Sequence, residues 1–426
     1  MNTQAFIDEL RWRGLLTQVS DEQGLLEYLD SGCQSLYCGF DPTADSLHVG
    51  SLVPLLALRR FQLQGHRPLL LLGGATGMIG DPSGRDDERS LNAGETVSNW
   101  IQALRVQVSG FLEFDTQDGT AAKIVNNLDW THDLPVIDFL RDIGKHFSVN
   151  SMIQRDSVKS RLERTNEGIS YTEFSYMLLQ AMDFLRLAQN EGCLLQIGGS
   201  DQWGNIVSGI DLIRRHTGES AFAFTMPLVT KADGTKFGKS AAGAVWIDPK
   251  KTSPYAFYQF WLNTADADVV SFLKLFTYLA QDEIESLEVE IQDRPELRKA
   301  HKKLAQEVTT IVHGEQAVVA AERISAALFA GDGGQLLESD LQELQQDGMP
   351  CTSCAAGTGL LTAMVEAGLT KSTGEARKLI QANGIKLNGD SIDDVGRDLT
   401  FEDALFKRFY LLRKGKKNYH LIARPR

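Results

Sequence analysis

The stretch from Gln34 to Gln64, which reads QSLYCGFDPTADSLHVGSLVPLLALRRFQLQ, decides the fold class of this chain. Its first part, Gln34–Phe40, is a short apolar run that is typical of a buried strand. A loop rich in small and polar residues follows, and Gly50–Gln64 then shows the apolar spacing of a helix. A buried strand that leads through a short loop into a helix predicts an α/β fold with a parallel sheet.

The alternation of strands and helices continues through the first half of the chain. Short apolar runs predict further strands at Pro68–Gly74, Ile124–Asn126 and Cys193–Ile197. Periodic apolar residues predict helices at Glu95–Ser109 and Thr172–Ala188. We therefore expect a Rossmann-like parallel sheet with helices on both faces, in a domain over residues 1–228, and ligands bound beyond the carboxyl ends of its strands.

The second half of the chain divides into a helical domain, a linker and a terminal module. Residues 229–330 have helical spacing at Ala256–Leu262, Val269–Leu279, Asp282–Ile291 and Pro295–His313. Segments rich in glycine and small residues predict a linker over 331–356. Residues 357–426 predict a small α+β module, because a capping box at Ser372–Glu375 opens a helix and Asn388-Gly389 is a hairpin signal. Its closing strands are expected at Phe406–Leu412 and Tyr419–Ile422.

The net charge of −13 is distributed unevenly over the 426 residues. Residues 357–426 contain 13 Lys/Arg and 8 Asp/Glu, a net of +5, so the rest of the chain carries −18. The segment Lys407–Arg426 has eight basic residues and no acidic one. A basic tail on an acidic body favours polyanion binding by the tail, although a solvated basic edge has the same composition.

The cysteine pattern and the absence of targeting signals predict a cytoplasmic protein. Five cysteines, an odd and sparse set, indicate no disulfide framework. The pair Cys351-x-x-Cys354 lacks the second pair that a zinc site needs, so we expect no structural metal. The N-terminus has no signal-peptide pattern, and no apolar run approaches the ~20 residues that a membrane span needs.

Two glycine-containing loops carry candidate phosphate contacts. In the first loop Thr43 and His48 can donate to phosphate oxygens, and Gly50 lets a nucleotide base approach the backbone at the start of the helix. An ordinary strand-to-helix turn explains these residues equally well. The second loop, KADGTKFGKS at residues 231–240, presents Lys231, Lys236 and Lys239 among small residues. Mobile lysines can stabilise a triphosphate whose negative charge shifts during reaction. The alternative interpretation is a lysine-rich loop that is simply exposed to solvent.

Together the two loops resemble the signature motifs of the class I aminoacyl-tRNA synthetases, known as HIGH and KMSKS. Longer segments resemble the bacterial tyrosyl-tRNA synthetases, at Tyr37–His48, Gly73–Ser83, Phe174–Gln180 and Gln196–Asn205. The terminal module is similar to the S4 RNA-binding fold. The resemblance implies an enzyme that activates L-tyrosine with ATP to tyrosyl-adenylate and pyrophosphate, and then transfers tyrosine to the 3′ end of tRNA(Tyr).

The residues of the implied tyrosine site suit that ligand. Tyr176, Gln180 and Asp183 share one helix face through their i, i+4, i+7 spacing, although a polar stripe toward solvent has the same spacing. Asp183 and Tyr37 can both hydrogen-bond a phenolic hydroxyl. The resemblance implies a tyrosine site formed by Tyr37, Asp81, Tyr176, Gln180, Asp183 and Gln202.

The resemblance also implies an ATP site, with Mg²⁺ carried by the ATP phosphates. The implied catalytic residues are Thr43, His48, Lys236 and Lys239. The implied nucleotide contacts are Gly39, Asp41, His48, Gly50, Ser51, Arg85, Arg89, Asp201, Lys231, Lys236 and Lys239. Two positions depart from the family pattern, because Ser51 replaces the second histidine of HIGH and Met182 stands where relatives often have tyrosine.

Two kinds of macromolecular contact are expected. The basic residues of the terminal module suggest tRNA contacts, and the end of a helix in the first domain adds two more arginines. The expected tRNA-binding residues are Arg214, Arg215, Arg377, Lys378, Lys386, Arg408, Arg413, Lys414, Lys416 and Lys417. The resemblance implies a homodimer, with a dimerisation insertion at about residues 130–165 that contains Phe139–Phe147.

Two alternatives to a tyrosine–tRNA ligase remain open on the sequence alone. One is an amino-acid-adenylating relative that does not charge tRNA. The other is an RNA-binding protein with a degenerate catalytic domain. The basic module favours the ligase and the RNA-binding protein, whereas the lysine loop together with Tyr37 and Asp183 favours the two enzymes.

Overall fold

A computed structural model of the chain forms two compact units. It describes residues 2–83, 92–155, 158–159, 162, 168–235, 237–240, 243–355 and 357–425, with only the backbone of 239 and 240. The first unit contains residues 1–244 and 267–286, and the second contains residues 245–266 and 287–426. The domain bounds predicted from the sequence remain a proposal.

The first unit is built on a six-stranded sheet in the order β1-β6-β5-β2-β3-β4. All neighbouring strands pair in parallel except β1, which is antiparallel to β6. This confirms the predicted parallel sheet. The strands of the described chain are β1 Gln18–Val19, β2 Ser35–Phe40, β3 Arg67–Leu72, β4 Lys123–Asn126, β5 Leu195–Gly199, β6 Phe222–Met226, β7 Lys239–Ser240, β8 Gly243–Ala244, β9 Cys351–Ser353, β10 Ile385–Leu387, β11 Asp390–Ser391, β12 Phe409–Lys414 and β13 Asn418–Ala423.

Helices connect the parallel strands, as a parallel sheet requires. In the first half of the chain they are α1 Thr3–Trp12, α2 Glu22–Asp30, α3 Leu52–Leu63, α4 Thr76–Ile79, α5 Gly94–Val108, α6 Leu128–Thr131, α7 Val136–Asp138, α8 Val149–Ile153, α9 Tyr171–Glu191 and α10 Trp203–Thr217. In the second half they are α11 Pro254–Leu262, α12 Asp266–Phe276, α13 Gln281–Asp293, α14 Lys299–His313, α15 Glu315–Ala330, α16 Glu338–Glu343, α17 Leu360–Glu366 and α18 Thr373–Gln381. Within the described residues, no helix has the length and apolar character needed to span a membrane.

Two helices position the side chains at the carboxyl edge of the sheet. α3 is apolar on almost every side and is largely buried, which is typical of a helix inside a core. Its Phe61 ring stacks on Phe224 of β6 with centroids 5.7 Å apart. α9 begins at the cap Ser170, whose hydroxyl accepts from the Glu173 amide, and ends at Gly192 in the left-handed conformation. Within its 21 residues Tyr176 and Asp183 are buried and Gln180 is half-buried.

The second unit joins a helical part to a five-stranded sheet in the order β11-β10-β12-β13-β9. The segment that we predicted as a linker, 331–356, contains α16 and β9. β9 pairs in parallel with β13, with Cys351 opposite Leu421 and Ser353 opposite Ala423. A strand of three residues is too short to show a recognisable pattern in the sequence. Its pairing partner also lies far along the chain, so no local signal indicates the pairing.

A buried ion pair holds α16 against α15. The Asp340 side chain is fully buried and receives two hydrogen bonds from Arg323, from Nε at 2.8 Å and from Nη2 at 2.6 Å. It also accepts from the Leu337 amide at 2.8 Å. Removal of one member of such a pair leaves the other charge without its partner.

We expect Asp340→Ala to lower the free energy of unfolding by about 2 to 3 kcal/mol, since Arg323 and the Leu337 amide both lose their acceptor. Denaturant unfolding of the full chain, followed by circular dichroism, measures the change. Asp8→Ala is the matched control, because Asp8 and Arg11 form an exposed pair at 3.0 Å. The control should lose less than about 1 kcal/mol, and an equal loss in both variants would contradict the role of Asp340.

Candidate active site

A cavity of about 440 Å³ lies at the carboxyl edge of the first unit's sheet. Its walls come from β2, β3, β5, α9 and the loop that follows β2. This is the place where ligands of parallel sheets bind. The cavity brings together most of the residues predicted from the sequence, namely Tyr37, Gly39, Asp41, Thr43, His48, Gly50, Ser51, Asp81, Tyr176, Gln180, Asp183 and Gln202.

The carboxyl group of Asp183 is fixed deep in the cavity by two donors. Asn127 Nδ2 donates to Oδ2 at 2.9 Å, and Trp130 Nε1 donates to Oδ1 at 2.8 Å. Asn127 is held in turn by the Ala75 amide, which donates to its Oδ1 at 2.8 Å. Burial raises the pKa of Asp183 to about 7, although the two hydrogen bonds act in the opposite direction. The carboxyl group is therefore oriented before any ligand arrives.

The Tyr37 hydroxyl is the second polar group at this end of the cavity. The side chain is 1% exposed, and its ring packs on Phe184 with centroids 5.2 Å apart. Among the described residues the hydroxyl has no hydrogen-bond partner. Burial, with a smaller contribution from the Asp183 charge, raises the pKa of Tyr37 well above its ordinary value. Tyr37 thus stays protonated and can donate, while Asp183 can accept, so together they fit a ligand group that does both.

The middle of the cavity is lined by carboxylates. Asp41 accepts from the Tyr176 hydroxyl at 2.7 Å and from the Thr76 hydroxyl at 2.6 Å. Asp81 accepts from Gln202 Nε2 at 2.6 Å and from the Ser83 amide at 3.0 Å. Two carboxylates held in place on one wall suit a ligand cation such as an ammonium group.

Polar amides extend this network toward the end of β5. Asn205 Nδ2 donates to Gln180 Oε1 at 3.1 Å, and Gln202 Nε2 lies 3.2 Å from Asp201 Oδ2. Asp201 does not line the cavity itself, but Gln202 connects it to the cavity wall. Burial raises the pKa of Asp201.

The loop after β2 presents His48 at the opening of α3. The Gly50 amide donates to His48 Nδ1 at 2.9 Å, so a neutral ring carries its proton on Nε2 and can donate it. Burial lowers the pKa of His48, which favours that neutral ring. A Cβ atom at position 50 would lie 2.7 Å from His48 Cε1. Glycine is needed here because the imidazole packs on it, and this is a different reason from the base contact expected from the sequence.

The lysine loop, residues 231–240, contacts the cavity through Phe237. Phe237 lines the cavity, and its ring packs on Phe272 and Phe276 with centroids 5.0 and 5.2 Å apart. Lys231 is half-buried and does not line the cavity. The backbone of Lys239 pairs with Ala244 in the β7–β8 hairpin. Lys236, Arg85 and Arg89, together with the side chain of Lys239, lie outside the described residues.

The predicted tRNA contacts fall into two groups. The exposed ones are Arg214, Arg215, Arg377, Lys378, Lys416 and Lys417. The others are half-buried, namely Lys386, Arg408, Arg413 and Lys414. Three of the half-buried side chains have internal partners. Arg408 Nη2 donates to Gln345 at 2.9 Å, Arg413 Nη1 donates to the Tyr419 hydroxyl oxygen at 3.4 Å, and Lys414 Nζ donates to the Leu369 carbonyl at 2.6 Å.

Sequence reasoning missed four residues of the site. Asn127 and Trp130 hold Asp183, Thr76 holds Asp41, and Gln196 lines the cavity from β5. Gln196 is 3% exposed, and its Oε1 has no partner among the described residues. The position of Asn127 directly after β4 could have indicated a site residue from the sequence. The role of Trp130 could not be predicted in this way, because it depends on how α6 packs. Within the described residues, no cluster of three metal-ligating side chains is present.

Two family models and two curated relatives that match this chain belong to one family. The model of tRNA synthetases class I (W and Y) matches residues 32–330, and the model of the tyrosine–tRNA ligase SYY-like C-terminal domain matches residues 340–422. The tyrosine–tRNA ligase of Yersinia enterocolitica is 55% identical over 423 residues, which is 99% of this chain and 100% of the relative. That of Geobacillus kaustophilus is 55% identical over 415 residues, 97% of this chain and 98% of the relative.

Solved structures of tyrosyl-tRNA synthetases are similar in fold to this chain. A C-terminally truncated mitochondrial tyrosyl-tRNA synthetase of Aspergillus nidulans superposes with a TM-score of 0.67 at 31% identity, over 76% of this chain and 94% of that one. A tyrosyl-tRNA synthetase of Archaeoglobus fulgidus complexed with L-tyrosine has the same fold, with a TM-score of 0.56 at 15% identity, over 74% of this chain and 99% of that one.

The raised pKa of Asp183 predicts a specific dependence of stability on pH. In the unfolded chain the carboxyl ionises near its ordinary value of 3.8, whereas in the fold it keeps its proton up to about 7. Its contribution to stability is therefore full below about pH 4 and is lost as the pH rises through about 7. Denaturant unfolding at pH 5 and pH 8 measures this. We expect the native chain to lose more stability than Asp183→Asn between the two pH values, and parallel losses would contradict the assignment.

Proposed function

This chain belongs to the tyrosine–tRNA ligases among the class I tRNA synthetases, and we propose how its residues activate L-tyrosine with ATP and transfer it to the 3′ end of tRNA(Tyr). The observation that carries the proposal is the Tyr37 hydroxyl, which has no hydrogen-bond partner among the described residues and lines the same cavity as Asp183. A buried donor and a buried acceptor at one end of a cavity fit the phenolic hydroxyl of tyrosine.

These two residues provide the selectivity against phenylalanine. The tyrosine hydroxyl would accept from Tyr37 and donate to Asp183. Phenylalanine leaves both groups unpaired in a buried site, and the tyrosyl-tRNA synthetases are themselves the reference case of such discrimination, which is about 10⁵. Asn127 and Trp130 support this selectivity, because they prevent the carboxyl group of Asp183 from turning away.

The amino-acid end of tyrosine would lie between the carboxylates of the cavity wall. Asp81 and Tyr176, with Gln180, would hold the ammonium group, and Gln202 would orient the carboxylate that reacts. The hydrogen bond from Gln202 to Asp81 already places both side chains on the same wall. The reacting carboxylate oxygen would therefore point toward the loop after β2.

ATP would bind where that loop meets the start of α3. His48 Nε2 and Thr43 would donate to phosphate oxygens, and Asp201 would accept from the ribose hydroxyls. Contacts from Gly39, Asp41, Gly50 and Ser51 complete the proposed nucleotide site. Because burial keeps His48 neutral, it acts as a hydrogen-bond donor rather than as a fixed positive charge.

Cationic residues would stabilise the phosphoryl charge. Lys231, Lys236 and Lys239 would reach the triphosphate from the loop at residues 231–240, whose Phe237 lines the cavity. Arg85 and Arg89 would contact the leaving pyrophosphate. Mg²⁺ would accompany ATP on its phosphates. The tyrosine carboxylate attacks the α-phosphorus in line, so catalysis consists of positioning and of charge stabilisation in the transition state.

The transfer step places tRNA on basic surfaces of both units. We propose that residues 1–228 bind tyrosine and ATP, that 229–330 supply the lysine loop and helices on the anticodon side of tRNA, that 357–426 bind RNA, and that 331–356 is the linker. Exposed basic side chains would contact the backbone phosphates, which makes tRNA binding sensitive to salt. We propose a cytoplasmic location, because tRNA is the substrate of the transfer step.

Pyrophosphate exchange with each of the twenty amino acids, followed by charging of tRNA, tests the function. We expect exchange with tyrosine alone and charging of tRNA(Tyr). Exchange without charging would identify an adenylating relative, and tRNA binding without any exchange would identify an RNA-binding protein.

We expect Tyr37→Phe to lower kcat/KM for tyrosine in exchange about five-fold, the effect of one lost hydrogen bond, and to reduce the preference for tyrosine over phenylalanine. The free energy of unfolding should not fall, because the hydroxyl has no hydrogen-bond partner to lose within the described part of the chain. Tyr28→Phe is the matched control, since its hydroxyl donates to the Ser35 carbonyl at 3.1 Å away from the cavity. The control should reduce stability and leave exchange unchanged.

A homodimer is supported by exposed apolar residues in the predicted insertion. Val136 and Ile137 are 67% exposed and Leu140 is 47% exposed. We propose that a second copy of the chain covers them, and we expect Ile137→Asp to shift sedimentation from dimer to monomer. Val289→Asp changes a residue that is 56% exposed on α13 and should leave the dimer intact. A monomeric native chain would contradict the proposal.

A further inference from the structure

The C-terminal sheet of the second unit is attached to the end of α15 by one tyrosine and one arginine. The Tyr419 hydroxyl of β13 donates to the Leu328 carbonyl in the last turn of α15. Arg413 lies directly opposite Tyr419 in the β12–β13 hairpin, and its Nη1 is 3.4 Å from the Tyr419 hydroxyl oxygen. The last carbonyls of a helix have no partner within the helix and carry partial negative charge. The Tyr419 hydroxyl therefore gives one of these carbonyls a hydrogen-bond donor, and Arg413 places a positive charge beside that hydroxyl.

The glycine at that C-terminus leaves room for the arginine. Gly331 ends α15 in the left-handed conformation, with φ of 77°. A Cβ atom at this position would lie 1.8 Å from Arg413 Nη1 and 2.5 Å from Arg413 Cζ. The guanidinium group thus occupies the space of a side chain at position 331. Any other residue would have to displace Arg413 and adopt a strained backbone.

A second close approach lies beside the first. The hairpin turn Asn388-Gly389 packs on the same segment, because a Cβ atom on Gly389 would be 3.1 Å from the Gly331 carbonyl oxygen. A Cβ atom on Gly333 would be 3.2 Å from the Asn388 carbonyl oxygen and 3.1 Å from Leu411 Cδ2. The glycines that predicted a linker are instead required by backbones and side chains in close contact.

The attached hairpin is the one that presents exposed lysines. Arg413 and Tyr419 form a cross-strand pair one step before the pair Lys414 and Asn418 that closes the hairpin. Lys416 and Lys417 are exposed in the turn beyond. The attachment therefore fixes the hairpin next to its turn, and that turn carries two exposed positive charges.

We propose that Tyr419 and Arg413 are positioning residues for tRNA. Through the hydrogen bond from Tyr419 to the end of α15 and the packing of Arg413 on Gly331, they hold the lysines of the β12–β13 hairpin in a fixed place relative to the helical part of the second unit. The proposal rests on tRNA contact by the terminal module, as proposed above. It assigns Arg413 to the protein's own helix end, not to a phosphate of tRNA, and it assigns the Tyr419 hydroxyl to the Leu328 carbonyl. Lysines that are already held in the binding position bind tRNA without a cost for ordering them. If the attachment is loosened, only a fraction of the molecules holds the hairpin in that position, and the apparent affinity for tRNA falls in proportion to that fraction.

Tyr419→Phe and Gly331→Ala in the full chain test this proposal. The first removes only the hydroxyl and keeps an aromatic ring, so a tyrosine that merely stacked on a base would be unaffected. The second displaces Arg413 without removing any charge. We expect KM for tRNA in charging to rise about three-fold in Tyr419→Phe and about ten-fold in Gly331→Ala, with kcat unchanged. Pyrophosphate exchange should be unchanged in both, which shows that the first unit is intact.

Tyr410→Phe is the matched control. Its hydroxyl donates to the Thr400 carbonyl at 2.6 Å inside the terminal module, so its loss should lower thermal stability without changing KM for tRNA. Limited proteolysis between residues 331 and 337 measures the attachment without tRNA, and it should accelerate in the two test variants and not in the control. An unchanged KM for tRNA in both test variants overturns the proposal, whether or not proteolysis accelerates.

A double variant separates this proposal from the one on which it rests. Lys416→Ala combined with Lys417→Ala removes the charges and leaves the attachment in place. If that variant raises KM for tRNA while the attachment variants do not, the module contacts tRNA but Tyr419 and Arg413 do not position it. If none of the variants changes KM, tRNA contact by the hairpin is itself wrong, and the positioning role is rejected with it.

Discussion

The buried carboxyl group of Asp183 sets the arrangement of the first unit. A carboxylate in a low-dielectric interior is costly unless donors surround it, and here both donors come from the short segment after β4, Asn127 at the start of α6 and Trp130 within it. Asn127 also donates to Thr76 at 2.9 Å, and Thr76 holds Asp41. One buried charge thus connects β4, α4, α9 and the loop after β2, and the walls of the cavity follow from this network.

The same region shows the conflict between binding and stability. Tyr37 and Gln196 each keep a buried polar atom without a partner among the described residues, and burial keeps part of the Asp183 population protonated near neutral pH. A core with apolar groups in these places would be more stable. The unpaired groups make sense only as partners of a ligand, because the bound amino acid then supplies the hydrogen bonds that the fold lacks.

Sequence reasoning predicted the parallel sheet and most of the cavity residues, since both depend on local patterns. The strands β2 to β5 and the polar residues at their ends could be recognised from apolar runs and from known motifs. The strand β6, Phe222–Met226, was missed because a mainly apolar run of five residues fits a strand or a buried helix equally well. The role of Trp130 in the site was missed, and the glycines near residue 331 were interpreted only as a sign of a linker. In both cases the role depends on packing against residues far along the chain. Glycine-rich sequence is typical of flexible chain, and only the packed neighbours distinguish a crowded glycine from a mobile one.

The parallel pairing of β9 with β13 determines where the chain can be divided. A fragment that starts at residue 357, where the sequence pattern places the module boundary, would lack Cys351–Ser353. The hydrogen-bonding edge of β13 from Leu421 to Ala423 would then be open to water and to other chains. Open edges of apolar strands promote association between molecules. The terminal module is therefore a self-contained soluble piece only when it begins upstream of β9, so its solubility depends on three residues that the sequence alone assigns to a linker.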